Sequence, residues 1–399
     1  MKRILAILLF ATSIGNAQIS EHPIKLSGQA VISVITCGPF QGEVYSAFGH
    51  SAFRVSDPAL GIDAIYNYGV FDYDQPNFYL NFALGKNKYM LGLQDYNRFR
   101  DVYIYYNRFI HEQHLNLTDA QKQKLFTFLE WNARPENQYY YYDYFYDNCA
   151  TKIRDVVVKT FGDSVHFNTD HITTDYTIRE LTDIYLKQQP WGDLGIDIGL
   201  GLPMDKKAAP LEYMFLPDYV ESGFDHATIK QNGLDVPLVK EKIITYESRE
   251  EGPPKGPPHP LYVFGTLAFL ALALSIWDFK RKKLSVWFDV LLFTAAGLTG
   301  LLLCFLWFFT DHRAAAKNFN LLWALPTHLI AVTAFFKQAK WLKGYFFLVA
   351  VIAAVTLVAW PILPQTLHYA LIPLVVTLGI RAFLQFYLRK KHQKKSPFG

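Results

Sequence analysis

Cysteine is scarce in this chain, with three in 399 residues. That rules out a disulfide-dense scaffold, and no cluster of cysteines or acids completes a zinc ligand set. His111 and His114 are three apart in a segment that reads as a strand, where odd spacing sends side chains to opposite faces. Neither a phosphate-binding glycine loop nor a nucleophile-elbow serine motif occurs. The net charge is only +4, and the basic clusters 280–283 and 389–391 flank apolar stretches, so they read as topology signals and not as a nucleic-acid surface. No metal and no diffusible cofactor is implied.

What is present divides into two halves. Lys2 and Arg3, the apolar run 4–11 and Gly15-Asn16-Ala17 form a signal peptide with its cleavage site, and that run is too short to span a bilayer. The expected mature chain starts at Gln18. A polar, tyrosine-rich domain over 18–246 is followed by a polyproline spacer over 247–260. Five apolar stretches come next, at 261–277, 287–309, 321–336, 342–360 and 367–387. Most approach the roughly 20 residues that cross a hydrocarbon core, and the third is short. A five-span bundle over 261–388 and a basic tail over 389–399 complete the expected layout. The basic loops 280–283 and 337–343 and the tail predict a periplasmic N-terminal domain and a cytoplasmic C-terminus, in the bacterial inner membrane.

The first half reads as α+β. The β-branched run 31–36 predicts a strand ending at Cys37-Gly38-Pro39, and 51–55 and 64–69 predict a strand and its return. Two more strands are expected over 103–117. Thr118 with Gln121 forms a capping box that opens a helix through Trp131. The aromatic run 139–146 predicts a strand, with an aromatic wall near the bilayer surface as the alternative. The glycine-rich, apolar segment 195–203 reads as a loop, either dipping into lipid or buried.

Asp147-Asn148-Cys149-Ala150-Thr151 carries the chemistry. Asn148 is a good N-cap, the run 150–161 reads as a helix closed by Gly162, and Cys149 would lie at the positive end of its dipole. A thiol nucleophile needs a base, and His50 in Gly49-His50-Ser51 is the candidate. The group that orients the imidazole is open between Asn67, Tyr66 and Tyr68, since strand parity is not fixed by sequence; Asn67 is the first choice. Cys304, within an apolar stretch, is a packing residue. A Cys37–Cys149 disulfide is the alternative to a catalytic thiol. In the loop after the second apolar stretch, Asp311, His312, Asn318 and Asn320 are candidate contacts for a lipid headgroup.

Phe48-Gly49-His50-Ser51, Tyr66-Asn67-Tyr68-Gly69 and Asp147-Asn148-Cys149, in that order, resemble a circularly permuted NlpC/P60-type papain-like fold. With Thr36-Cys37-Gly38-Pro39, the apolar tail, Asp311-His312 and 318–323, the chain is similar to Lnb-type lipoprotein N-acyltransferases. That resemblance implies Cys149 as nucleophile and His50 as its base. It further implies a phospholipid acyl donor, a diacylated lipoprotein acceptor and transfer through a thioester. Two other functions fit the residues: a periplasmic cysteine peptidase or amidase on cell-wall peptides, and a non-catalytic membrane scaffold with a Cys37–Cys149 disulfide.

Overall fold

A computed structural model of the protein describes residues 24–71, 74–86, 88–250, 256–335 and 339–393. The expected signal peptide, the middle of the proline-rich spacer and the last residues of the basic tail lie outside them.

The chain alternates short strands and helices: β1 (Val31–Cys37), β2 (His50–Asp57), β3 (Ile62–Phe71), α1 (Phe78–Ala83), β4 (Lys88–Asp95), α2 (Tyr96–Tyr105), β5 (Ile110–Leu115), α3 (Asp119–Asn132), β6 (Tyr139–Tyr141) and α4 (Cys149–Phe161). It continues through β7 (Val165–Phe167), α5 (Ile178–Leu186), α6 (Pro190–Gly199), α7 (Pro217–Asp225), β8 (Ala227–Gln231), β9 (Leu234–Pro237) and β10 (Val239–Tyr246). Seven strands form an antiparallel sheet in the order β10-β5-β1-β2-β3-β4-β6, and β7-β8-β9 form a smaller one. The large sheet is covered on both faces. On one, Phe53, Val55, Tyr66 and Tyr68 pack against Leu125, Phe126 and Leu129 of α3 and Ile153, Val156 and Val157 of α4. On the other, Ile35, Ala52 and Ile65 meet Tyr96 and Phe99 of α2. Period-2 alternation therefore sends Tyr66 and Tyr68 toward α3 and α4, and Asn67 toward α2.

Several expectations change. Residues 103–105 belong to α2 and not to a strand: Asp95 caps that helix by accepting from the Arg98 N–H at 3.0 Å, and Tyr96, Phe99 and Tyr103 form a helical face. The aromatic run is a strand only over Tyr139–Tyr141, where it pairs with β4. Segment 195–203 is not a loop throughout, because Pro190 starts α6, whose Leu194 and Ile198 join the core of the second half. The capping box of α3 and the Asn148 cap of α4 form as expected. His111 and His114 diverge, His111 Nδ1 meeting Glu221 at 3.0 Å and His114 Nδ1 meeting Glu241 at 2.9 Å.

The second half is helical: α8 (Pro260–Arg281), α9 (Val286–Phe309), α10 (Thr327–Phe335), α11 (Leu342–Ala359) and α12 (Ile372–Gln393). Among the described residues, four segments are long and apolar enough to cross a membrane: Pro260–Arg281, Val286–Phe309, Leu342–Ile362 and Tyr369–Arg389. Among the described residues the α-helix of the third apolar stretch is α10, with nine residues. A buried charge cluster ties three of these helices together. Arg381 of α12 donates to Asp289 of α9 at 2.6 Å and to Asp278 of α8 at 3.0 Å. All three are fully buried, and at membrane depth such charges persist only when paired.

Candidate active site

Cys149 is the first residue of α4, and the local sequence puts it there. The Asn148 side-chain oxygen accepts the Ala150 and Thr151 N–H groups, both at 2.9 Å, and Thr151 Oγ1 accepts the Asn148 N–H at 2.8 Å. The Asn148 amide also donates to Phe215 O and Tyr144 O at 2.8 Å, which pins the helix start. The first N–H groups of a helix have no partner inside it. Asn148 takes two of them, and the Cys149 N–H is among the backbone groups that favour its own thiolate. The N–H groups of Ser51 and Ala150 also favour the thiolate, as does the charge of Arg108. Desolvation outweighs them and holds the Cys149 thiol above its ordinary range.

His50 opens β2, opposite Cys37 on β1, and the backbone N–H of its neighbour Ser51 is one of the groups that favour the Cys149 thiolate. The imidazole lies parallel to the Tyr103 ring, with centroids 6.3 Å apart. Its Nε2 is 2.6 Å from Asn67 Oδ1. The Asn67 amide nitrogen donates to Gln94 at 3.4 Å, which turns the carbonyl toward His50. A carbonyl only accepts, so Nε2 carries the proton and Nδ1 is the free base. Desolvation lowers the His50 pKa to about 4, against the raising effect of Asn67 and with a further lowering by Arg108. At neutral pH the resting pair is thus a thiol and a neutral imidazole. Of the three candidates for the orienting residue, Asn67 meets His50, whereas Tyr66 bonds Glu130 and Tyr68 bonds Asn132 at 2.7 Å on the far face.

The β3–β4 ladder slips between Asn67 and Val70, and Gly69 within that bulge has φ +87°. A Cβ there would sit 3.4 Å from the Cys149 Cβ, so a side chain at Gly69 would crowd the thiol as well as strain the backbone. Cys37, Cys149 and Cys304 are all free thiols, and Cys37 is fully buried.

Cys149 and His50 open into a cavity of about 690 Å³. The periplasmic side contributes Phe48, Phe71, Tyr89, Tyr142, Phe145 and Phe215, and the membrane half contributes Leu306, His312, Ala314 and Ala315. The wall is apolar and aromatic, and among the described residues no Asp or Glu lines it. Tyr142 stacks on Tyr89 with centroids 4.0 Å apart, making one rigid side.

Of the four membrane-loop candidates, His312 alone reaches the cavity, and its Nε2 is 3.1 Å from Phe82 O beside α1. Asp311 is exposed; its N–H donates to Leu84 O at 2.8 Å and its carboxylate lies 3.9 Å from Lys86. Asn318 and Asn320 are buried away from the cavity, where they fasten the two halves together. Asn318 donates to Ile198 O at 2.8 Å, and Asn320 donates to Asp197 O at 3.2 Å while accepting from Trp323 at 2.9 Å. Gln365 adds a bond to Leu200 O at 2.9 Å, and the Gly201 N–H donates to Ala314 O at 2.7 Å. The backbones approach so closely that a Cβ on Gly201 would lie 1.9 Å from Ala316 O.

Sequence reasoning did not find Arg108, Tyr103 or the Ser51 N–H, since distant segments bring them together, whereas Tyr142, Tyr144 and Phe145 of the aromatic run do line the cavity. It also missed Asp183, Asp193 and Asp197, whose carboxylates lie within 4.8 Å of one another. Asp197 is paired with Arg179 at 2.5 Å and Asp193 with His368 at 3.3 Å. Burial first, and then the charges of Asp197 and Asp193, raise the Asp183 carboxyl well above the ordinary carboxylate range.

Residues 24–183 match the family model of the Lnb N-terminal periplasmic domain, and residues 254–393 match that of the Lnb transmembrane domain. Comparison with curated proteins and with solved structures finds no match. His50, Asn67 and Cys149 fall in the first matched region, and the membrane wall of the cavity falls in the second. Two family matches in the order of the folded halves make this chain a member of the Lnb family, a membrane protein with a periplasmic N-terminal domain.

Proposed function

We propose that the protein is a lipoprotein N-acyltransferase: it moves a fatty acyl group from a phospholipid to the N-terminal amine of a diacylglyceryl-cysteine lipoprotein, by way of a thioester on Cys149. His50 Nδ1 takes the thiol proton as the sulfur attacks the ester carbonyl. The Cys149 and Ser51 N–H groups stabilise the oxyanion of the tetrahedral intermediate. The C–O bond then breaks, and imidazolium returns the proton to the departing lysophospholipid alkoxide. The acceptor amine attacks the thioester, His50 accepts its proton, and the regenerated thiol recovers it as the amide forms. Asn67 is a positioning residue that keeps Nδ1 unprotonated. His312 contacts substrate in this reading, Asp311 borders the entrance, and Asn318 and Asn320 act by holding the two halves in register.

One observation carries the proposal: the cavity that holds the thiol is walled by both the periplasmic and the membrane half. An apolar chamber at that junction suits acyl chains held in a bilayer, whereas a cell-wall peptide would have no use for the membrane wall. Counting the third apolar stretch as a crossing gives five, with the domain periplasmic, the basic loops and C-terminus cytoplasmic, and the inner membrane as location. The Cys–His–Asn set, with His50 and Asn67 preceding Cys149, supports a permuted NlpC/P60-type arrangement. Mass spectrometry of lipoprotein N-termini from cells with and without the protein tests the function. Triacylated termini should depend on it, and their persistence at normal levels in its absence, with no other N-acyltransferase present, would refute it.

A further inference from the structure

Arg108 takes no part in the steps of the proposed reaction, yet it is built into the cavity wall. Its backbone N–H donates to Tyr103 O at 2.9 Å, and its Nε donates to Gly38 O at 2.6 Å. Its guanidinium carbon lies 4.5 Å from the centre of the Tyr103 ring, the same ring that lies parallel to His50. The Nε bond and the ring fix the plane of the guanidinium next to the catalytic pair. Among the described residues, neither terminal nitrogen has a hydrogen-bond partner and no carboxylate lines the cavity to balance the charge.

A half-buried arginine facing an apolar chamber with its fork empty lacks its counter-ion. The planar fork matches an oxyanion bidentately, and a phosphate oxygen pair fills it well. The aromatic remainder of the chamber suits hydrocarbon. A glycerophospholipid carries both features on one short glycerol arm, so a phosphate held at one wall brings the neighbouring ester to the thiol.

We propose that Arg108 binds the phosphodiester of the acyl donor and thereby positions the donor ester at Cys149. The site takes phospholipids as a class through the phosphate they share, and discriminates against neutral acylglycerols. This inference rests on the reading of Cys149 as the acceptor of the donor's acyl group, and two measurements on the full-length protein separate them.

The first is binding without chemistry. Native mass spectrometry counts a diether phosphatidylethanolamine, which has no ester to attack, on Cys149→Ala protein with and without Arg108→Gln. Binding should weaken at least tenfold with Arg108→Gln and partly recover with Arg108→Lys, which keeps the charge but not the fork. Undiminished binding to a folded Arg108→Gln protein overturns the proposal, whatever happens to activity. The second is acylation of Cys149 from diacyl phosphatidylethanolamine relative to diacylglycerol of the same chains. The wild-type ratio should exceed ten, and Arg108→Gln should bring it close to one. If both donors slow equally, Arg108 acts on the thiol or His50 and the phosphate assignment is wrong. Arg108-dependent binding with no acylation of wild-type Cys149 from either donor would instead refute the acyltransferase reading and leave the phosphodiester site standing.

Discussion

Replacing Asn67 with alanine removes the one acceptor that the structure gives His50 Nε2, at 2.6 Å. The N–H is then a desolvated donor without a partner, which costs about 1–3 kcal/mol. The imidazole escapes that cost by moving its proton to Nδ1 or by turning its ring, and either change removes the base from the thiol. Expressed as a barrier, the same range corresponds to a loss on the order of ten- to a hundredfold in rate. The loss should fall on the rate of Cys149 acylation at saturating donor, with donor affinity little changed, because Asn67 does not line the cavity. Single-turnover acylation followed by mass spectrometry measures it. Asn67→Asp should recover part of the rate, since a carboxylate also accepts from Nε2, and its charge should raise the His50 pKa. A rate for Asn67→Ala within threefold of wild type, in a protein that melts normally, would refute this role.

The pH profile of Cys149 acylation should show its acid limb near pH 4, because His50 is the base when neutral and desolvation lowers its pKa to about 4; a limb near 6.5 would mean an unperturbed histidine. Cys149→Ser and His50→Ala should each cut acylation on the order of a hundredfold or more. Cys37→Ala should keep substantial activity, and finding Cys37 linked to Cys149 in non-reduced protein would replace the thiol mechanism with the scaffold. Gly201→Ala should lower thermal stability by roughly 1–3 kcal/mol of unfolding free energy, as an overpacked contact does, because its Cβ would meet Ala316 O at 1.9 Å. Unchanged melting would show that the two halves are not packed so closely there.

The start of α4 was legible because capping is local: Asn148, Cys149 and Thr151 are consecutive enough for spacing alone to put the thiol at a helix N-terminus. The partner of His50 was legible only as a choice, since Asn67 and its tyrosine neighbours differ by strand parity, and parity is set by α2 and α3 packing on opposite faces. Residues 103–105 read as a strand from sequence because aromatic and β-branched residues favour strands, and the Asp95 cap makes them helical instead. Glycines 195 and 199 disguised α6, whose stability comes from packing on the membrane half and not from its own propensity. The cavity was not legible at all. Its wall joins segments near 48, 142, 215 and 314, and no local pattern records that meeting.

The central claim is that Cys149 carries the acyl group in transit. Purified protein incubated with a phospholipid of defined chains, without acceptor, should gain the mass of one acyl chain on the peptide containing Cys149. Neutral hydroxylamine or a diacylated lipopeptide should remove that mass, the lipopeptide gaining the same chain as an amide. Acceptor acylation that proceeds while Cys149 stays unmodified, or that survives Cys149→Ser at the wild-type rate, would contradict the account.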